Sequence, residues 1–287
     1  MLALLAALAI CDLFVGVSND AVNFLNAAVG SRAAPFWIIM AVASAGVLLG
    51  ATFSSGMMEI AKTGVLVPER LTFEEVMFVY CAVMVTDVLL LNTFNSLGLP
   101  TSTTVSIIFE LLGGTVAMAC WKVWHTGAPF TDLGLYVNSG KALAMIMGIL
   151  VSVVVAFFAG LIVQYVLRTL FTFRYWKTYK YFGALFGGAA ITAILYFLVM
   201  KGARGASFME PAWIDWIEAN TEAILICVFA GFFVLFEAAI LLFRANIFPV
   251  VILSGTFALA FAFAGNDLVN FVGVPLAALD SYHIFSA

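Results

Sequence analysis

The sequence predicts an all-α fold, a polytopic bundle of transmembrane helices, and three observations carry that prediction. Of 287 residues, 64% are hydrophobic and only 10% are charged, whereas a water-soluble domain needs roughly 25% charged residues to keep its surface wet. The apolar residues gather into runs long enough to cross a hydrocarbon core of about 30 Å, which takes about 20 helical residues. These runs are rich in Leu, Ala, Phe and Gly without strict alternation, which argues against a β-barrel. Lipid offers no partner to backbone N–H and C=O groups, so such runs close their hydrogen bonds internally, as helices.

The elements follow in chain order. Residues 1–17 form a first apolar run that stops at Ser18-Asn19-Asp20, where an interruption of the helix is expected. No basic flank precedes it and no small-residue cleavage site follows, so it reads as structure and not as a signal peptide. A second span covers 36–53, after a turn holding Arg32 and Pro35. A mixed-charge loop with Glu59, Lys62, Glu69, Arg70, Glu74 and Glu75 leads into an apolar stretch over 76–92. That stretch breaks at Asn95-Ser96-Leu97-Gly98-Leu99-Pro100 and resumes over 102–119. Long spans are predicted at 141–167, 182–200, 223–243 and 247–264, and 268–287 begins another. The expected division is a first repeat over 1–167 with a hairpin around 76–119, a basic connection over 168–180, and 181–287 holding linking spans and the start of a second repeat.

Charge orients these spans. Arg168, Arg174, Lys177 and Lys180 crowd one short connection, which the positive-inside rule places in the cytoplasm. The next connection carries Glu210, Asp215, Glu218 and Glu222 with Trp213 and Trp216, and reads as an outward interfacial loop. Cys11, Cys81, Cys120 and Cys227 are far apart without a C-x-x-C pair, so they are expected to be buried small hydrophobes. His125 and His283 lack metal-ligand spacing and read as loop or interface residues. Gly46, Gly50, Gly113-Gly114 and Gly187-Gly188 suit close helix packing. No basic block suggests nucleic acid. Neither H-E-x-x-H nor G-x-S-x-G is present, so enzyme classes built on them are excluded.

Two polar motifs stand out against this apolar background. Asn-Asp occurs only twice, in the matched frames Asn19-Asp20-Ala21-Val22-Asn23-Phe24 and Asn266-Asp267-Leu268-Val269-Asn270-Phe271. A repeated polar motif argues for an internal duplication, a common way to build a transporter. Asn19 and Asn23, four residues apart, share a helix face. Their amides with the Asp20 carboxylate supply oxygen ligands for a hard cation such as Na⁺, or a titratable site for H⁺. Asn19 and Asn266 acting as helix caps is the alternative. Asp12, Asp87, Glu110 and Glu237 also fall inside apolar runs, as structural carboxylates or as cation or proton sites.

The third motif is Gly98-Leu99-Pro100-Thr101-Ser102-Thr103-Thr104. Pro100 suits a helix start and Gly98 permits a turn. Thr101, Ser102, Thr103 and Thr104 then place hydroxyls, unpaired N–H groups and a positive helix end at one point, which suits an oxyanion. The same segment fits a surface turn between two full spans or the tip of a re-entrant hairpin.

Together these segments, with Gly273-Val274-Pro275-Leu276-Ala277, resemble the signatures of the inorganic phosphate transporter (PiT) family, in the same order and from end to end of the chain. The resemblance implies inverted repeats with broken helices, each repeat carrying an Asn-Asp motif and a re-entrant helical hairpin tipped by Ser-Thr-Thr. It implies a phosphate symporter driven by Na⁺ or H⁺, with no other cofactor. By match, Ser102, Thr103 and Thr104 would bind phosphate oxygens, with Thr101 beside them. Asn19, Asp20, Asn266 and Asp267 would contact substrate, and Asp20, Asn23, Asp267 and Asn270 would form the Na⁺ or H⁺ sites. The family's Val before Ser-Thr-Thr and His after it are here Thr101 and Val105. No second Ser-Thr-Thr follows Asn266-Asp267, so the chain is expected to be the N-terminal part of a longer member.

The expected partners are inorganic phosphate and the lipid bilayer, with a homodimer left open and no nucleic acid. The expected location is a bacterial inner membrane. Another oxyanion such as sulfate, or a non-transporting protein that keeps the fold, are the competing readings.

Overall fold

Helices form where the apolar runs lie. The computed structural model describes residues 1–52, 65–67, 70–172, 175–205 and 210–286. In chain order the helices are α1 (Leu2–Gly30), α2 (Phe36–Thr52), α3 (Phe73–Leu97), α4 (Thr103–Thr126), α5 (Ser139–Leu170), α6 (Tyr175–Gly205), α7 (Pro211–Ala219), α8 (Thr221–Phe243) and α9 (Phe248–Ser286). A 3₁₀ turn, Phe130–Leu135, links α4 to α5. Among the described residues the only β-pairing is the bridge between Leu66 and Val137. Glu59, Lys62, Glu69 and Arg174 lie outside the described residues.

Among the described residues, seven helices (all but α2 and α7) are long and apolar enough to cross a membrane. Helix α5 makes the case for lipid most directly. None of its most apolar stretch is buried, and Phe157, Phe158, Leu161 and Ile162 are all exposed. Water would not tolerate an apolar surface of that extent on a soluble monomer. The protein is an integral, multi-pass membrane protein. The Trp213 and Trp216 loop folds as the short helix α7 with both indoles exposed.

The expected interruptions at the Asn-Asp motifs do not occur. Helix α1 runs unbroken through Asn19-Asp20, and α9 runs unbroken through Asn266-Asp267 and past Pro275. Neither motif therefore caps a helix. Asn and Asp weaken a helix when their side chains compete for its backbone; here Asn19 and Asp267 have partners on another element instead. The break does occur at Gly98–Ser102, between α3 and α4. The cysteines are less buried than expected: Cys11 and Cys227 are exposed, and Cys81 and Cys120 partly so.

The described residues form two compact units. One comprises Met1–Asn23, Ser54–Ser152 and Gly265–Ala287. Its core gathers Leu5 from α1, Val83 and Met84 from α3, Ile107 and Leu111 from α4, and Val274 with Ala277 from α9. The other comprises Phe24–Phe53 and Val153–Ala264. There α6 packs on α8 through Ala184, Ile191, Phe236 and Ile240. The Tyr179 hydroxyl ties the turn after α8, donating to the Ala245 carbonyl at 2.9 Å and accepting from the Ile247 N–H at 2.8 Å.

Glycine packing divides the expected set. A Cβ on Gly50 would lie 2.3 Å from the Phe261 carbonyl oxygen, and one on Gly46 2.6 Å from that of Phe257, so this pair lets α2 press on the α9 backbone. Gly187 sits as tightly against Phe236 and Ile247, whereas Gly113 faces open space.

Candidate functional site

The α3–α4 hairpin positions the site, and its ends are fixed by local chemistry. At its base Thr72 and Glu75 form a reciprocal capping box, with Thr72 N–H donating to Glu75 Oε2 at 2.7 Å. Lys122 of α4 closes that base, its Nζ 2.7 Å from Glu75 Oε2. At the tip α3 stops on Gly98, whose φ of 68° lies in the left-handed region where only glycine escapes a Cβ clash. Pro100 bars continuation of the helix. Ser102 then caps α4, its hydroxyl accepting from the Val105 N–H at 3.4 Å.

Two long helices grip the tip from different sides. On α1, Asn19 is buried and bonds the tip three times. Its Nδ2 donates to Asn95 Oδ1 at 2.8 Å and to the Leu99 carbonyl at 3.2 Å, and its Oδ1 accepts from the Thr101 N–H at 2.9 Å. Asn95 in turn donates to the Val15 carbonyl at 2.9 Å. On α9, Asp267 Oδ1 accepts from the Thr104 hydroxyl at 2.9 Å, and Asn270 Nδ2 donates to Thr104 Oγ1 at 3.0 Å. Asp267 falls at the midpoint of α9, about 29 Å of helix from either end. The tip thus meets both helices far from their ends.

The two matched motifs are also brought to each other. Asp20 is buried and interacts electrostatically with Asp267. A missing side chain permits the approach: a Cβ on Gly16 would lie 2.1 Å from the buried Phe271 ring. Yet the motifs are not equivalent. Asn19 engages the turn from Asn95 to Thr101, whereas the second motif engages the first turn of α4 through Asp267 and Asn270. Asn270 is buried, while Asn23, at the matching position, is exposed. Asn266 is exposed and donates to Asp267 Oδ1 at 3.1 Å.

The hydroxyl residues divide similarly. Thr103 is buried beside Asp267, Thr104 is held by α9, and Ser102 is exposed. The Thr101 N–H is committed to Asn19, while its side chain lines a cleft of about 490 Å³ with Thr86, Phe94, Ser102, Ser106 and Glu110. No Lys or Arg among the described residues pairs with the tip, Asp20 or Asp267.

Two features escaped the sequence reading. Asn95 looked like a turn residue, yet it locks the tip to α1. Ser106 drew no notice, yet its hydroxyl lies 2.8 Å from both Asp87 Oδ1 and Glu110 Oε1. An i, i+4 pair of Ser106 and Glu110 on one face of α4 was the available signal.

Residues 16–286 match the phosphate transporter family. The chain belongs to that family. The match takes in both Asn-Asp motifs and the whole hairpin, and it makes this protein a transporter of phosphate and not an enzyme. A solved structure described as the sodium-dependent phosphate transporter shares the fold of this family member, with a TM-score of 0.66 and 18% identity. The similarity covers 98% of this chain and 68% of that one. Curated proteins give no match.

Proposed function

We propose that this phosphate transporter couples phosphate movement to a cation, and that the α3–α4 tip with the two Asn-Asp motifs is where the two meet. One observation carries the reading. Two buried carboxylates, Asp20 and Asp267, stand beside a hydroxyl-rich helix start without a basic partner. The first turn of α4 offers N–H groups and the positive helix end to an anion. The neighbouring carboxylates repel it, by about 4 kcal/mol per charge pair at 4 Å in surroundings of effective dielectric near 20. A cation bound between Asp20 and Asp267 removes that penalty, so anion and cation bind best together.

Within this reading Ser102, Thr103 and Thr104 hold phosphate oxygens, Thr101 orients the tip, and Asp20, Asp267 and Asn270 hold the cation. The exposed Asn23 and Asn266 play lesser parts. The sodium dependence named for the similar structure favours Na⁺ over H⁺. The tip meets two long helices far from their ends, which supports a re-entrant hairpin at membrane depth. The matched motifs support an inverted repeat, and a bacterial inner membrane is the location that fits.

The test is phosphate uptake into liposomes carrying the protein, with an inward Na⁺ gradient, an inward proton gradient, or neither. Uptake driven by the Na⁺ gradient and lost in Asp267→Asn is expected. Equal uptake under all three conditions refutes coupling. Sulfate competing as well as phosphate favours the broader oxyanion reading.

A further inference from the structure

Beside the tip, but outside the Asn-Asp motifs, three acidic side chains from three helices converge in the same unit. Asp12 of α1 and Asp87 of α3 are each 0% exposed, and Glu110 of α4 is half-buried. Asp12 faces both Asp87 and Glu110. Neither Asp12 oxygen has a hydrogen-bond partner, and Asp87 Oδ2 and Glu110 Oε2 have none either. None of the three forms an ion pair with a basic side chain among the described residues. The surrounding faces are apolar: Leu5 of α1, Val83 and Met84 of α3, and Val274 with Ala277 of α9. The nearest further charge is Asp20, which senses Asp87 and is itself negative, with Asp267 beyond it.

Counting hydrogens shows what is missing. Ser106 Oγ lies 2.8 Å from a carboxylate oxygen on each side, Asp87 Oδ1 and Glu110 Oε1. A hydroxyl owns one hydrogen, so it donates to only one of them. The other short O···O contact is attractive only when that carboxyl carries a hydrogen and donates back to Ser106. Asp12 and Asp87, acceptor-only groups when ionised, repel each other as long as neither carries a hydrogen. Isolated buried charges cost far more than a protein's net stability, so such groups are paired or neutralised.

We propose that Asp12, Asp87, Ser106 and Glu110 form a second cation site, one that holds a proton shared among the three carboxyls. A carboxylate oxygen takes a proton from hydronium, forming one O–H bond as a hydronium O–H breaks and leaves water, and the neutral acid then donates to its neighbour. The route for exchange is the cleft of about 490 Å³, which runs from Thr101 and Ser102 at the tip to Ser106 and Glu110. Protonation holds α1, α3 and α4 together behind the tip, and deprotonation pushes three negative groups apart. The site lies on residues that the Asn-Asp and Ser-Thr-Thr motifs do not include.

Infrared spectroscopy of the full chain in lipid nanodiscs tests this without requiring transport. A protonated-carboxyl C=O band is expected at neutral pH. The triple variant Asp12→Asn, Asp87→Asn, Glu110→Gln loses it, with helical content checked by circular dichroism. Ser106→Ala, a milder change, shifts the band and covers the case in which the triple variant does not fold. Absence of the band in the unmodified protein, its persistence in a folded triple variant, or its removal by added Na⁺ overturns the proposal. Because the readout ignores phosphate, a failure of the coupling reading leaves this result standing, and the reverse.

Discussion

Replacing Asn19 with alanine removes three hydrogen bonds from α1 to the hairpin tip in one step. The bonds measure 2.8, 2.9 and 3.2 Å and reach Asn95, Thr101 and Leu99. A typical intramolecular hydrogen bond contributes roughly 0.5–1.5 kcal/mol net, and a buried group left unpaired costs about 1–3 kcal/mol. The tip therefore loses about 2–4 kcal/mol of docking onto α1. At 1.4 kcal/mol per factor of ten, its docked population relative to undocked falls about 30- to 700-fold. The Thr101 N–H reads this directly, because among the described residues its partner is the Asn19 side chain. Hydrogen exchange of the 99–105 segment in nanodiscs should lose protection by a comparable factor, and phosphate uptake should fall with it. Asn23→Ala is the control. It has the same residue type in the same motif, but its side chain is exposed, so it should leave both readouts within about twofold. Unchanged Thr101 exchange in Asn19→Ala, or equal damage from Asn23→Ala, would refute the reasoning.

Two further substitutions separate other parts of the argument. Thr104→Val keeps the shape but removes the bond to Asp267 and leaves Asn270 Nδ2 with only its 3.4 Å contact to Asp267 Oδ1; two lost bonds at roughly 0.5–1.5 kcal/mol each should cut uptake roughly 5- to 150-fold. Gly50→Ala tests packing instead. Its Cβ would meet the Phe261 backbone oxygen at 2.3 Å, an overpacking that typically costs about 1–3 kcal/mol. Thermal unfolding in detergent should move down in Gly50→Ala and remain in place in Gly113→Ala, whose Cβ meets open space.

The membrane fold was legible in composition alone. Lipid-facing helices must be apolar on most sides and must satisfy their own backbone, so run length and charge depletion mark the helical stretches without knowledge of the packing, although the expected runs at 247–264 and 268–287 are one helix, α9, and α2 is too short to rank with the seven. Pro100 and Gly98 marked the hairpin turn for equally local reasons. The matched Asn-Asp frames identified residues that do come together, because a polar group at membrane depth rarely lacks a role.

Other properties belong to pairs of elements, and the linear sequence does not display them. Local polarity at Ser18-Asn19-Asp20 suggested an interrupted helix, whereas α1 continues because the Asn19 side chain is satisfied by α3 and the tip rather than by its own turn. Identical motifs looked interchangeable, yet Asn270 is buried against Thr104 and Asn23 faces outward. Asp87 and Glu110 face each other across the α3–α4 hairpin, as two residues equally far from its turn must, but nothing in the spacing announced that Asp12 of α1 joins them. Run length and charge along one helix are set by the solvent around it, and these the sequence by itself determined. Which faces meet, which side chains are satisfied there and which charges crowd together depend on the neighbours each helix finds, and only the tertiary structure decided that.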